Sequence, residues 1–121
     1  MKKILLADDH APTRMIFSKI LAEQHYCTIQ ASNGEEAYTK AVAEQPDLIL
    51  LDIVMPVMDG YEALFKIKGD PVTQPIQVIM LTALDRPFEQ RLALEMGASG
   101  YMVKPVRLDE LCRNIKYALM R

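Results

Sequence analysis

Four short apolar runs, each stopped by a polar side chain, limit this chain more than any other feature. Ile4-Leu5-Leu6-Ala7 stops at the pair Asp8-Asp9, and Leu48-Ile49-Leu50-Leu51 stops at Asp52. Val78-Ile79-Met80-Leu81 ends in Thr82, and Tyr101-Met102-Val103 ends in Lys104. A short continuous apolar run bounded by turn residues reads as a strand buried on both faces. Such strands belong to a parallel sheet covered by helices, and parallel neighbours need long crossover connections. Nothing about packing asks for a carboxylate, a hydroxyl or an ammonium where each run ends.

The segments between the runs carry helical periodicity. Pro12 suits the first turn of a first helix, and the spacing of Ile16, Phe17, Ile20 and Leu21 predicts its buried face. Tyr26 to Ala31 is less apolar and closer to alternating, as an edge strand would be. Asn33 can cap a second helix, with Glu36 at the capping-box position. Ala37, Tyr38, Ala41 and Val42 make its inner face, and Pro46 lies beyond its end. Asp59 and Glu62 repeat the capping pattern ahead of Ala63, Leu64 and Ile67, with Gly69 as the stop. A fourth helix is expected to begin near Asp85 or Arg86, to tolerate Pro87 in its first turn and to end at Gly97. Leu108, Leu111, Ile115, Ala118 and Leu119 mark one side of a last helix. The expectation is an α/β fold of five βα units, with residues 1–121 as one domain and a parallel five-stranded sheet between helices. No internal repeat, low-complexity tract or linker interrupts it.

Composition excludes several classes. The net charge is −2, which leaves no electrostatic footprint for nucleic acid or an anionic membrane. Cys27 and Cys112 are too few and too far apart for a disulfide framework or a metal knuckle, and read as free thiols in a reducing compartment. Met1-Lys2-Lys3 followed by an apolar run begins like a secretory signal, but Asp8-Asp9 stops the run far short of one. No run approaches a transmembrane length. A cytoplasmic location is expected. The 8 methionines read as adaptable core filler.

The polar strand ends carry the chemistry. Ligands of open α/β sheets bind beyond the carboxyl ends of the strands. Asp8, Asp9 and Asp52 gathered there would repel one another, and a cation relieves that. Carboxylates are hard oxygen ligands and suit magnesium, which usually keeps several of its waters. Lys104 offers a compact positive charge with three donors for a phosphoryl oxygen. Thr82 offers a short hydroxyl, and the amide of Ala83 can donate beside it. The set suits a divalent cation together with a phosphoryl group.

In these motifs the chain resembles the receiver domain of bacterial two-component response regulators, the group that includes the chemotaxis receiver protein. The acidic pair, Asp52-x-x-Met55-Pro56-x-Met58-Asp59-Gly60, Thr82-Ala83 and Lys104-Pro105 stand in the family's order, and the resemblance runs from Lys3 to about Met120. It implies a doubly wound, flavodoxin-like sandwich with strand order 2-1-3-4-5. It implies that Asp52 is the phosphoacceptor and that Asp9, Asp52 and the backbone carbonyl of Val54 contact magnesium directly. Asp8 would act mostly through metal-bound water. Thr82, Ala83 and Lys104 would bind the phosphoryl group, and the Lys104–Pro105 bond would be cis. Thr82 and Tyr101 would form the switch, the ring turning inward as the threonine is drawn to the phosphate. The implied donor is a sensor histidine kinase or a histidine phosphotransfer protein. An output domain or target protein would meet the face of the fourth helix, fifth strand and fifth helix, where a phosphorylation-dependent homodimer could also form. Direct nucleic-acid and membrane binding are not expected.

Such a domain phosphorylates and dephosphorylates itself without turning over a free substrate. The rival from another class is a magnesium-dependent phosphohydrolase of the haloacid dehalogenase type, which also uses Asp, Thr and Lys. Its nucleophile motif is Asp-x-Asp, whereas Asp52-Ile53-Val54 has no second carboxylate, and this length leaves no room for a cap domain. A nucleotide-binding module is a weaker rival, since no Gly-x-Gly-x-x-Gly follows the first run. The chain stops about where a receiver stops, so it is expected to stand alone or to be the front part of a longer regulator.

Overall fold

Strands and helices alternate strictly through residues 1–120, the part that this computed structural model describes. The strands are β1 (Lys3–Ala7), β2 (Cys27–Ala31), β3 (Leu48–Leu51), β4 (Gln77–Thr82) and β5 (Gly100–Val103). The helices are α1 (Ala11–Glu23), α2 (Gly34–Glu44), α3 (Gly60–Gly69), α4 (Pro87–Glu95) and α5 (Leu108–Leu119). All neighbouring strands pair in parallel, in the order β2-β1-β3-β4-β5. The fold is therefore the doubly wound, flavodoxin-like one. β2 lies at an edge, as its weaker apolar pattern foretold.

Direction of travel explains the layering. The chain steps one way from β1 to β2, then the other way through β3, β4 and β5. Right-handed crossovers in opposite directions place their helices on opposite faces of the sheet. Accordingly α2, α3 and α4 pack on one face, where Ala37, Ala41, Ala63, Leu64, Ile67 and Ala93 meet Leu5, Ile49, Leu51, Val78 and Met80. On the other face Leu21, Leu111, Ile115 and Ala118 meet Ile4, Leu6, Leu48, Leu50, Ile79 and Leu81. β3 is buried at every residue, so its run Leu48-Ile49-Leu50-Leu51 has no polar alternation. No helix among the described residues is long and apolar enough to cross a membrane.

Local signals held at most helix starts. Asn33 accepts from the Glu36 amide at 2.8 Å, and Asp59 accepts from the Glu62 amide at 2.9 Å. The Glu36 carboxylate reaches back to the Ser32 amide at 3.2 Å, one residue earlier than a capping box requires. α4 starts at Pro87, and Gly97 beyond its end takes φ +108°, the left-handed stop expected of it.

Three expectations fail on geometry. Ile16 is 57% exposed, because the stripe through Phe17 and Leu21 faces the sheet and Ile16 stands about 100° around the helix from Phe17. Leu108 is 49% exposed, since it opens α5 one turn before Leu111 and the sheet does not reach beneath it. Gly69 ends α3 without a left-handed turn, the chain leaving through Asp70 in an extended conformation.

Candidate functional site

Register places the polar residues. Ala7 pairs with both Ala31 and Leu51, so the residues that follow, Asp8 and Asp52, stand side by side at the carboxyl ends of β1 and β3. The ladder runs on past the strands, with the Asp8 amide donating to the Ala31 carbonyl and the Asp52 amide to the Ala7 carbonyl. β4 pairs Met80 with Leu51 and continues for two more residues, which carries Thr82 past the level of Asp52. Thr82 pairs with Val103, so Lys104 extends from β5 at the same end. One carboxylate oxygen from each of Asp8, Asp9 and Asp52 lies within 4.8 Å of the others.

The charges are already arranged. The Lys104 ammonium donates to Asp8 Oδ2 at 2.5 Å and to Asp52 Oδ2 at 3.0 Å. Burial alone would depress the pKa of Lys104, but its hydrogen bonds to Asp8 and Asp52 outweigh burial and hold it above the usual lysine value. The other oxygen of each carboxylate is pinned by backbone. Asp52 Oδ1 accepts from the Ile53 amide at 2.7 Å, and Asp8 Oδ1 from the His10 amide at 2.9 Å. Asp52 is 8% exposed and Asp8 is buried, while Asp9 is exposed. A buried carboxylate is costly without hydrogen-bond and ion-pair partners, and these two have them.

Around the carboxylates, Thr82 is wholly buried, and its hydroxyl accepts from the Leu84 amide at 3.4 Å. Ala83 and the Val54 side chain are exposed beside it. Tyr101 is half-buried against the core of the α3 face, and its hydroxyl donates to the Leu84 carbonyl at 2.7 Å. The Lys104–Pro105 bond is cis, as the resemblance implied. Behind Asp52 the chain turns sharply at Val57, whose φ of 69° is joined to a bond from the Met58 amide to the Pro56 carbonyl at 2.7 Å. This is the strained form of three-residue turn, and the turn brings Gly60 back so that its amide donates to the Ile53 carbonyl at 2.7 Å.

A family model for the response regulator receiver domain matches residues 4–116. The chain belongs to that family. This receiver domain is 41% identical over 120 residues to the alkaline phosphatase synthesis transcriptional regulatory protein PhoP of Bacillus subtilis, covering 99% of this chain and 49% of that protein. It is 41% identical over 105 residues to the response regulator PleD of Caulobacter vibrioides, covering 86% of this chain and 23% of that protein. The chain thus spans about half or less of the length of these curated relatives. Among solved structures it superposes on the chemotaxis protein CheY4 of Vibrio cholerae with TM-score 0.91, 30% identity and 98% coverage of each chain. The receiver domain of the sensor histidine kinase PA1611 of Pseudomonas aeruginosa matches with TM-score 0.91 and 27% identity, over 99% of this chain and 98% of that one. That structure holds a magnesium ion in its active-site cleft.

Asp8, Asp9, Asp52, Val54, Thr82, Ala83 and Lys104 follow or end strands at one end of the sheet, while Tyr101 stands within β5 opposite Met80. Sequence reading passed over three neighbours. Arg14 Nη1 donates to the Asp8 carbonyl at 2.6 Å, steadying the acidic pair from α1. Tyr61 on α3 and Glu89 on α4 are hydrogen-bonded hydroxyl to carboxylate, and Glu89 is only 4% exposed. Glu89 is the single charged residue on the buried side of α4, a break in the helix pattern that could have flagged it.

Proposed function

We propose that this receiver domain, residues 1–121, is a phosphorylation-controlled switch in two-component signalling, with Asp52 as its phosphoacceptor. The observation that carries this reading is the pairing of Asp52 with Lys104 beside Asp8 and Asp9 at one end of the sheet. The donor is the phosphohistidine of a sensor histidine kinase or of a phosphotransfer protein. An Asp52 oxygen forms the new bond to phosphorus, the bond to the imidazole nitrogen breaks, and the electron pair leaves with the ring. Lys104 exchanges its contact with Asp52 for a phosphoryl oxygen as charge builds there. Thr82 and the amide of Ala83 take further oxygens.

The donor set fits magnesium: three hard carboxylates within reach of one another, with neither His nor Cys among them. Asp9, Asp52 and the Val54 carbonyl would hold the ion, Asp8 would act through its water, and the ion would neutralise the transferring oxygens. In the switch, Thr82 moves toward the phosphoryl group and Tyr101 turns inward. The surface of α4, β5 and α5 then changes for an output domain, a target protein or a second copy of the chain. Phe88, Leu92, Val103 and Leu108 already stand exposed on those elements, which supports a docking role. Cys27 and Cys112 are free thiols, in keeping with a reducing cytoplasm.

Acetyl phosphate and magnesium test the reading directly. One phosphoryl group per chain is the expected result, and many turnovers would instead establish a phosphohydrolase. Magnesium should also stabilise the fold, because only the folded chain gathers the three carboxylates. At about 100 times its dissociation constant the gain is about 2.7 kcal/mol, and Asp9→Ala should remove most of it. A melting temperature indifferent to magnesium would count against the site.

The phosphoryl group should be long-lived. Val54 and Leu84, two places after Asp52 and Thr82, border the path of the attacking water. Val54 is exposed and Leu84 partly packs on the core, and neither side chain can orient a water. A lost transition-state contact of about 1.4 kcal/mol slows hydrolysis about tenfold. Val54→Asn and Leu84→Glu are expected to shorten the decay of isolated phosphoprotein. Unchanged or slower decay in both would refute this account of its lifetime.

A further inference from the structure

We propose that Arg14, steered by Gln30, is a positioning residue for the divalent cation: its guanidinium fixes the peptide between Asp8 and Asp9 and so aims the Asp9 carboxylate at the site. The inference rests on the reading that Asp8, Asp9 and Asp52 hold magnesium. It adds two residues that set how tightly they do so.

Asp9 is the least supported member of the trio. The Asp8 amide donates to the Ala31 carbonyl, and its Oδ1 accepts from the His10 amide. Asp8 Oδ2 accepts from Lys104, and the Asp8 carbonyl accepts from Arg14. Asp52 is held by the Ile53 amide and by Lys104. Asp9 is exposed, and among the described residues none donates to its carboxylate. Yet one of its oxygens lies within 4.8 Å of those of Asp8 and Asp52. Backbone must therefore aim it. The peptide unit is planar, so a bond to the Asp8 carbonyl fixes the plane from which the Asp9 side chain departs.

Arg14 reaches that carbonyl from the opening turn of α1, with Nη1 at 2.6 Å. Local helix physics disfavours a cation there, because the helix dipole is positive at that end. No acidic residue in the first turn of α1 offsets it. The side chain is partly buried, one turn before Phe17 and two before Leu21, on the stripe that faces the sheet. Its guanidinium has two partners, since Nε donates to Gln30 Oε1 at 3.1 Å. β2 thus holds the acidic pair twice, directly through the Ala31 carbonyl and again through Gln30 and Arg14. A planar fork with both partners in place has little freedom left.

Sign separates positioning from charge. A cation beside the three carboxylates repels a second cation, so by charge alone its loss should tighten magnesium binding. Positioning predicts the reverse. Arg14→Met keeps an unbranched stem and removes the donors, whereas Gln30→Ala keeps the charge and frees the fork. Magnesium titration, followed by NMR through the amide signals of Ile53 and Val54, reads the affinity. Arg14→Met is expected to bind about tenfold more weakly than wild type, as is usual when a group that orients a metal ligand is lost. Gln30→Ala should also bind more weakly, by a smaller factor. In metal-free Arg14→Met, nitrogen relaxation should show the Asp9 amide gaining fast motion while the Asp52 amide does not. A merely structural role would lower the melting temperature and leave both affinity and the Asp9 amide unmoved. If wild type binds magnesium and both variants match it within twofold, or bind more tightly, the positioning role is overturned and the metal reading stands. If wild type itself binds none, both fall.

Discussion

Asp52→Asn is expected to abolish labelling by acetyl phosphate and to leave the fold intact. An amide oxygen in place of the carboxylate is too weak a nucleophile to take the phosphoryl group. The replacement can keep the bond from the Ile53 amide, which now goes to Asp52 Oδ1. Lys104 retains its partner Asp8. With one like charge gone from the acidic trio, the variant should melt at or above the wild-type temperature in the absence of divalent ions. Intact-protein mass spectrometry reads the first outcome and a thermal melt the second. Labelling that survives the substitution would transfer the role to Asp8 or Asp9.

The largest loss of stability is expected from Gly60→Ala. A methyl group at Gly60 would stand 2.6 Å from the Ile53 Cα and closer still to the Asp52 carbonyl oxygen. These are backbone atoms of the loop that carries Asp52 and cannot swing aside. The chain must bend there, at about 3 kcal/mol or more, which lowers the melting temperature by roughly 10 °C in a domain of this size. The bend displaces Asp52 from Lys104, and a misplacement near 1 Å can slow a reaction about a hundredfold. Gly69→Ala is the control, since nothing lies within 4 Å of its added methyl. That variant should be neutral or gain up to about 1 kcal/mol from helix propensity. Equal melting temperatures for the two variants would disprove the close approach of α3 to the loop.

What could be read in advance follows from how each residue is constrained. β1, β3 and β4 were legible because burial on both faces removes every polar residue from their runs, so a polar residue at their ends stands out. Asp8, Asp52 and Thr82 were legible for that reason, whereas Lys104 follows β5, whose run proved only partly buried, with Val103 exposed. The faces of helices were less so, because periodicity gives a direction and not the width of the covered stripe. Hence Ile16 and Leu108 were misplaced. Strand order came from the resemblance, since nothing in the runs themselves ranks their neighbours. Pairing between distant helices left little local trace: Tyr61 and Glu89 are 28 residues apart, and only the charge of Glu89 on the buried side of α4 breaks a local pattern. The strained turn at Val57 was hidden as well, because a β-branched residue is among the least expected at positive φ.

The contact between Lys104 and Asp8 joins residues 96 apart in the chain. A ribosome releases β1 and its acidic pair long before β5 exists. Until β5 docks beside β4, the carboxylates of Asp8 and Asp52 lack the Lys104 ammonium that they share. Closing so large a loop is slow relative to local helix formation. On the proposed reading, a nascent or half-folded chain therefore carries its phosphoacceptor without Lys104, and competence to take a phosphoryl group would arrive together with the docking of β5.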